Sequence, residues 1–152
     1  MEQTTHQRGF TILLAALVAS LVLSLGISVF SIAQKQLILS STGRDSQYAF
    51  YAADTAAECA LYWDVRHDFF GTSTPAVSPE CDELPLEVEG SRTGYPYSLD
   101  FEFEPNGYCA RVTVTKNTVH PRTLIRANGF SVPCDDIPTS GRALHRSVEL
   151  SY

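Results

Sequence analysis

Apolar positions crowd into one early block and then settle into two successive rhythms. Residues 10–33 run for 24 positions without a charge or a proline, interrupted only by Thr11, four serines and Gly26. Fourteen of them are Leu, Ile, Val or Phe. Each such residue contributes about -0.3 to -0.6 kcal/mol at mid-bilayer, so the block predicts a membrane-spanning helix. At about 1.5 Å per residue it reaches roughly 36 Å, enough to cross roughly 30 Å of hydrocarbon.

The second rhythm is helical. Residues 34–70 contain no proline, and Ala49, Ala52, Ala53, Ala56, Ala57, Ala60 and Leu61 recur at helix spacing, with Trp63 near the end. Asp45, Asp54, Glu58, Asp64 and Arg66 are expected on the opposite, polar side, which makes this stretch an amphipathic continuation of the first helix. Gly26 and Gly43 are its weak points, each costing about 1 kcal/mol relative to Ala.

Residues 72–96 read as loop, broken by Pro75, Pro79, Pro85, Gly90, Gly94 and Pro96. The third rhythm follows, with a period of two. Tyr97, Leu99, Phe101 and Phe103 alternate with Ser98, Asp100, Glu102 and Glu104, and Pro105-Asn106-Gly107 makes a turn into a strand carrying Tyr108, Ala110, Val112 and Val114. Residues 123–128 and 143–152 predict two more strands, the last with Leu144, Val148, Leu150 and Tyr152 on one side. The expected fold is α+β: a long N-terminal helix packed on a small antiparallel sheet of about four strands, the alanine stripe covering its apolar face. Four segments follow: a polar leader at 1–9, a membrane or filament-core helix at 10–33, its amphipathic continuation at 34–70, and a sheet domain at 71–152.

The 152 residues leave room for one modest domain beyond the anchor. Formal charge is -6, and because Glu2 and Arg8 cancel, it all lies after residue 9. An acidic exterior argues against direct nucleic-acid binding. Cys59, Cys81, Cys109 and Cys134 all follow the span, an even number in a small domain, which points to disulfides in an oxidising compartment. Their spacing matches no zinc pattern. Three pairings remain open, and joining nearest neighbours, Cys59 with Cys81 and Cys109 with Cys134, is preferred.

Chemistry-bearing clusters are scarce. His67 beside Asp64 and Asp68 reads as a solvated helix end, and His120 and His145 as surface residues. There is no phosphate-cradling loop or nucleophile elbow, so we expect no catalytic residue, no cofactor and no metal site. Tyr48, Phe50, Tyr51, Tyr62, Trp63, Phe69 and Phe70 are expected in the core and at subunit contacts. Within the span, Ala16, Ser20, Ser24 and Ser28 recur every four residues, which suits close packing of helices and equally suits serines that bond back to their own helix.

Gln7-Arg8-Gly9-Phe10-Thr11, placed directly before the span, resembles the leader junction of type IV prepilins and type II secretion pseudopilins. The resemblance implies cleavage after Gly9 and N-methylation of Phe10 by a prepilin peptidase, leaving 143 of the 152 residues. Major pilins carry a glutamate at the fifth mature position, where this chain has Leu14. That departure favours a minor subunit. Gly43-Arg44-Asp45 through Ala49-Phe50, Ala52-Ala53-Asp54 and Ala56-Ala57 resemble minor pilins of the PilX type, and the likeness covers roughly residues 7–60.

By that resemblance the protein is a structural subunit, not an enzyme. It first lies in the inner membrane as a single-pass chain with an extracytoplasmic C-terminal domain, then enters a pilus or pseudopilus at the cell surface. Its implied partners are other pilin subunits, the prepilin peptidase, an inner-membrane assembly platform, and lipid before assembly. Two alternatives are a filament-tip binding module acting through residues 72–96 or 129–142, and an unprocessed single-pass protein.

Overall fold

The computed structural model describes residues 5–73 and 77–152. Among the described residues one α-helix, α1 (Thr5–His67), precedes seven strands: β1 (Glu80–Cys81), β2 (Leu84–Pro85), β3 (Glu89–Gly90), β4 (Tyr97–Phe103), β5 (Ala110–Lys116), β6 (Thr123–Phe130) and β7 (His145–Ser151). β1 and β2 form a small hairpin, and the main sheet is antiparallel in the order β3-β4-β5-β6-β7. The chain divides into two compact units, one ending at Ser41 and the other running from Thr42 to Tyr152. The α+β architecture matches the expectation, with a main sheet of five strands in place of four.

α1 holds 63 residues without a proline and passes Gly26 and Gly43 uninterrupted. Its end is defined by Asp68, which turns left-handed at φ 47°, while the Phe69 amide donates to the Trp63 carbonyl at 3.0 Å. Arg66 and His67 occupy the last turn, where positive charge offsets the carbonyl end of the helix. This stop delivers Phe69 and Phe70 into the core. Phe70 is fully buried, its ring stacks on Phe101 at 5.9 Å, and its carbonyl accepts from the Tyr97 hydroxyl at 2.8 Å.

The sheet turns one face inward. Tyr97, Leu99, Phe101 and Phe103 on β4, Ala110, Val112 and Val114 on β5, and Ile125 and Ala127 on β6 are buried, while Val148 and Leu150 on β7 are partly so. Opposite them, Ala49, Ala52, Ala53, Ala56, Ala57 and Ala60 are all buried. Short side chains let the helix come down onto the strands, and at Gly129 backbone meets backbone so closely that a Cβ would lie 2.5 Å from the Ala53 nitrogen. On the outer face, cross-strand rungs join Arg111 to Glu102 at 2.9 Å, Thr113 to Asp100 at 2.6 Å and Arg126 to Glu149 at 2.7 Å. Each exposed rung stabilises its strand pair by about 0.2–1 kcal/mol.

The tight turn after β4 uses Asn106 at φ 54° and Gly107 at φ 78°, left-handed positions that suit Asn and Gly. Cys59 is bonded to Cys81 and Cys109 to Cys134. The first bridge fastens the helix to β1, beside a hydrogen bond from Trp63 Nε1 to the Glu80 carbonyl at 2.9 Å. The second ties the start of β5 to the segment after β6.

Residues 72–96, expected as loop throughout, contain three two-residue strands. β3 lies along β4 through Glu89 opposite Asp100 and Gly90 opposite Leu99. A pair this short leaves no run of alternation in the sequence. Pro75 lies outside the described residues.

Burial pushes the Tyr97 phenol up to about 12, with the neighbouring Tyr95 adding to the shift. Its proton is therefore kept in the folded chain at pH values where an unfolded phenol, near 10, has lost it. The stability held by neutral Tyr97 is complete below pH about 10 and falls as pH rises toward about 12. Tyr97→Phe is expected to flatten this alkaline loss, measured by urea unfolding between pH 8 and pH 11 at about unit steps. Equal alkaline slopes in the two proteins would remove Tyr97 as the cause.

Candidate functional site

The helix up to Ser41 presents the largest apolar surface. Phe10, Ile12, Leu13, Leu14, Leu17, Val18, Leu21 and the apolar residues onward to Leu39 are exposed within this unit. An 18-residue stretch of this helix has a mean hydropathy of 2.6, long and apolar enough to cross a membrane. A soluble monomer rarely leaves so much contiguous apolar surface open, and the length and composition of this helix suit a single membrane span.

Ser20, Ser24 and Ser28 donate to the carbonyls of Leu17, Leu21 and Ser24 at 2.8, 2.9 and 2.9 Å. Ser31 does the same to Ser28. The hydroxyls of the four-residue stripe are thus satisfied within their own helix, leaving with Ala16 a narrow track that adds no unpaired donor to an apolar contact. Gly9 belongs to the helical backbone ahead of Phe10. Residues 1–4 of the expected leader lie outside the described residues.

The second unit holds a polar centre that the sequence pattern misplaced. Asp64, expected on the solvent side of the helix, is buried against the sheet. Lys116 Nζ sits 2.6 Å from both of its oxygens, and the Tyr152 hydroxyl donates to Oδ2 at 2.6 Å. Thr123 Oγ1 accepts from Lys116 at 2.9 Å, and the Thr123 and Tyr152 backbones exchange hydrogen bonds. Burial, together with the bond to Asp64, holds the Tyr152 phenol well above its ordinary range. The cluster neutralises itself and joins α1 to β5, β6 and the end of β7.

This placement separates the three groups considered together at the helix end. Asp64 faces the sheet, whereas exposed His67 lies against Trp63, with ring centres 4.5 Å apart. His120 is exposed before Pro121. His145 contacts Asn128 and Ser147, but both reach the same ring nitrogen, so no proton relay runs through it. Glu102 lies near Cys109 and Cys134. Because the two sulfurs are joined in a disulfide, they offer no thiolate to a metal.

The aromatic residues divide. Trp63, Phe69 and Phe70 are buried, whereas Phe50, Tyr51 and Tyr62 are exposed. Tyr48 stacks on Tyr108 at 4.7 Å, and with Tyr51, Thr55, Pro105 and Asn106 they line a shallow groove of about 390 Å³. No family model, curated protein or solved structure matches the chain.

Proposed function

We propose that the chain is a minor type IV pilin-like structural subunit that helps to assemble or prime a pilus or pseudopilus. The observation that carries this reading is an exposed helical stretch, uncharged from Phe10 to Ala33, directly after the polar residues ending in Arg8-Gly9. Such a helix is stable in a bilayer, and it is equally stable in a bundle of similar helices, so a subunit can pass from one to the other without exposing apolar surface to water. Leu14 favours the minor role, because it puts no carboxylate in lipid that must find a partner. The folded unit after Thr42 remains outside the cytoplasm, where two disulfides are maintained. Its work is assembly, with other pilins, a prepilin peptidase and an inner-membrane platform as partners.

Mass spectrometry of the protein from cells with an active pilus apparatus is expected to find N-methylated Phe10 at the amino terminus. Recovery of the chain with Met1 and its leader intact would replace this reading with that of a simple membrane anchor. Ser20→Leu with Ser24→Leu is expected to fill the small-residue track and lower filament incorporation several-fold, at unchanged cellular levels. Incorporation equal to the parent would take the track out of the packing interface. The groove formed by Tyr48, Tyr51 and Tyr108 favours a second reading, a ligand-contacting subunit at a filament tip.

A further inference from the structure

Asn106-Gly107 and Asn128-Gly129 are the same chemical pair in opposite surroundings. Where glycine follows asparagine, no side chain shields the glycine nitrogen from the asparagine carboxamide, and the backbone between them turns freely. The chain's other asparagine, Asn117, precedes Thr118, whose branched β-carbon crowds that approach.

Asn106 and Gly107 are both exposed, in the turn between β4 and β5. Open space surrounds Gly107, where a Cβ would meet nothing within 4 Å. Two hydrogen bonds hold the turn: the Gly107 amide donates to the Glu104 carbonyl at 3.2 Å, and the Tyr108 amide to the Pro105 carbonyl at 3.1 Å. Bringing the Gly107 nitrogen onto the Asn106 side chain rotates ψ of Asn106 away from 28° and gives up those two bonds, which water replaces.

Asn128 has no such freedom. Its Oδ1 accepts from the Ser147 hydroxyl at 2.6 Å, and buried Gly129 is paired with Ala110 on one side and Arg146 on the other. The backbone of α1 at Ala49 and Ala53 closes over that glycine. The same rotation there requires β6 to leave the sheet, an opening close to complete unfolding.

We propose that Asn106 is a site of spontaneous deamidation, which puts a carboxylate on the rim of the tyrosine groove. Hydroxide removes the Gly107 amide proton, and the nitrogen forms a bond to Asn106 Cγ. The bond from Cγ to Nδ2 breaks, and ammonia leaves with a proton taken from water. Water then opens the resulting succinimide. Breaking its bond from nitrogen to Cγ gives aspartate; breaking its bond from nitrogen to the main-chain carbonyl carbon gives isoaspartate, with the main chain rerouted through Cγ. Asn106 shares the groove with Tyr48, Tyr51, Ala52, Thr55, Pro105 and Tyr108, all uncharged, so the product brings in the first charge among these lining residues. The reaction calls on no other protein and stands apart from the subunit reading above.

The test incubates the full-length folded protein in detergent at about pH 8.5, in water enriched in oxygen-18, followed by peptide mass spectrometry. The Asn106 peptide is expected to convert to labelled aspartate and isoaspartate at least about tenfold faster than the Asn128 peptide, because only local opening is needed. In guanidinium chloride the two rates are expected to agree within about twofold, since both sites are then open. Gly107→Ala is expected to slow the reaction at Asn106 about tenfold. Asn128 is the internal standard, because a folding defect in that variant would speed its reaction. Native isoelectric focusing is expected to show the folded product one charge more acidic. The proposal is overturned if the two sites react equally in the folded protein, or if Asn106 stays intact while the denatured sample reacts. A Gly107→Ala protein that reacts at the parent's rate also overturns it.

Discussion

Gly129→Ala is expected to destabilise the unit from Thr42 to Tyr152 by about 3 kcal/mol or more, because the added methyl overpacks a contact made by backbone on both sides. The Cβ would meet the Ala49 carbonyl oxygen and the Ala53 nitrogen. Neither is the movable tip of a side chain, so the helix itself must lift from the sheet. Lifting it opens the whole alanine seam from Ala49 to Ala60, since these short side chains have no reach with which to follow. Gly43→Ala is the control: its Cβ meets nothing within 4 Å. There the gain in helix propensity is expected to stabilise by about 0.5–1 kcal/mol. Thermal unfolding of both proteins in detergent, followed by circular dichroism, reads the contrast. A Gly129→Ala protein that melts with the parent would mean the seam is looser than the structure describes.

Asp64→Ala is expected to cost about 3–5 kcal/mol, the range found when one partner of a buried ion pair is removed. It strands the Lys116 ammonium, whose side chain is only 12% exposed, and leaves the Tyr152 hydroxyl without its acceptor. Lys116→Met strands the carboxylate instead. Replacing both, Asp64→Leu with Lys116→Met, is expected to recover much of the loss, because two apolar groups carry no desolvation cost. A double-mutant cycle built on Asp64→Leu, Lys116→Met and their combination, read by urea unfolding, gives the coupling, expected above about 1.5 kcal/mol. Single losses that merely add would show that the cluster does not act as a unit.

The long elements were readable because each carried one clear period. The alternation from Tyr97 to Phe103 predicted the burial of β4 residue by residue, and the alanine spacing named the face of α1 that meets the sheet. Asp64 was misplaced because a helical pattern assigns acids to the solvent side unless something demands otherwise. The demand was present in the strands: continuing the inward parity of β5, β6 and β7 leads to Lys116, Thr123 and Tyr152, three polar groups gathered at one end of an apolar face. A buried ammonium there needs a carboxylate, and α1 supplies it. Gly129 gave less warning, since a glycine in a strand has many explanations and only the helix backbone above it selects one. The two-residue strands were beyond reach because their partners, not their own residues, decide their pairing.

Each cysteine is joined to the next one along the chain. As the polypeptide emerges amino end first, Cys59 and Cys81 are both available before Cys109 appears. Oxidation that keeps pace with the growing chain makes the correct link while no competing thiol is yet present. The order in which the cysteines are made can therefore sort the bridges wherever thiols are oxidised as the chain emerges.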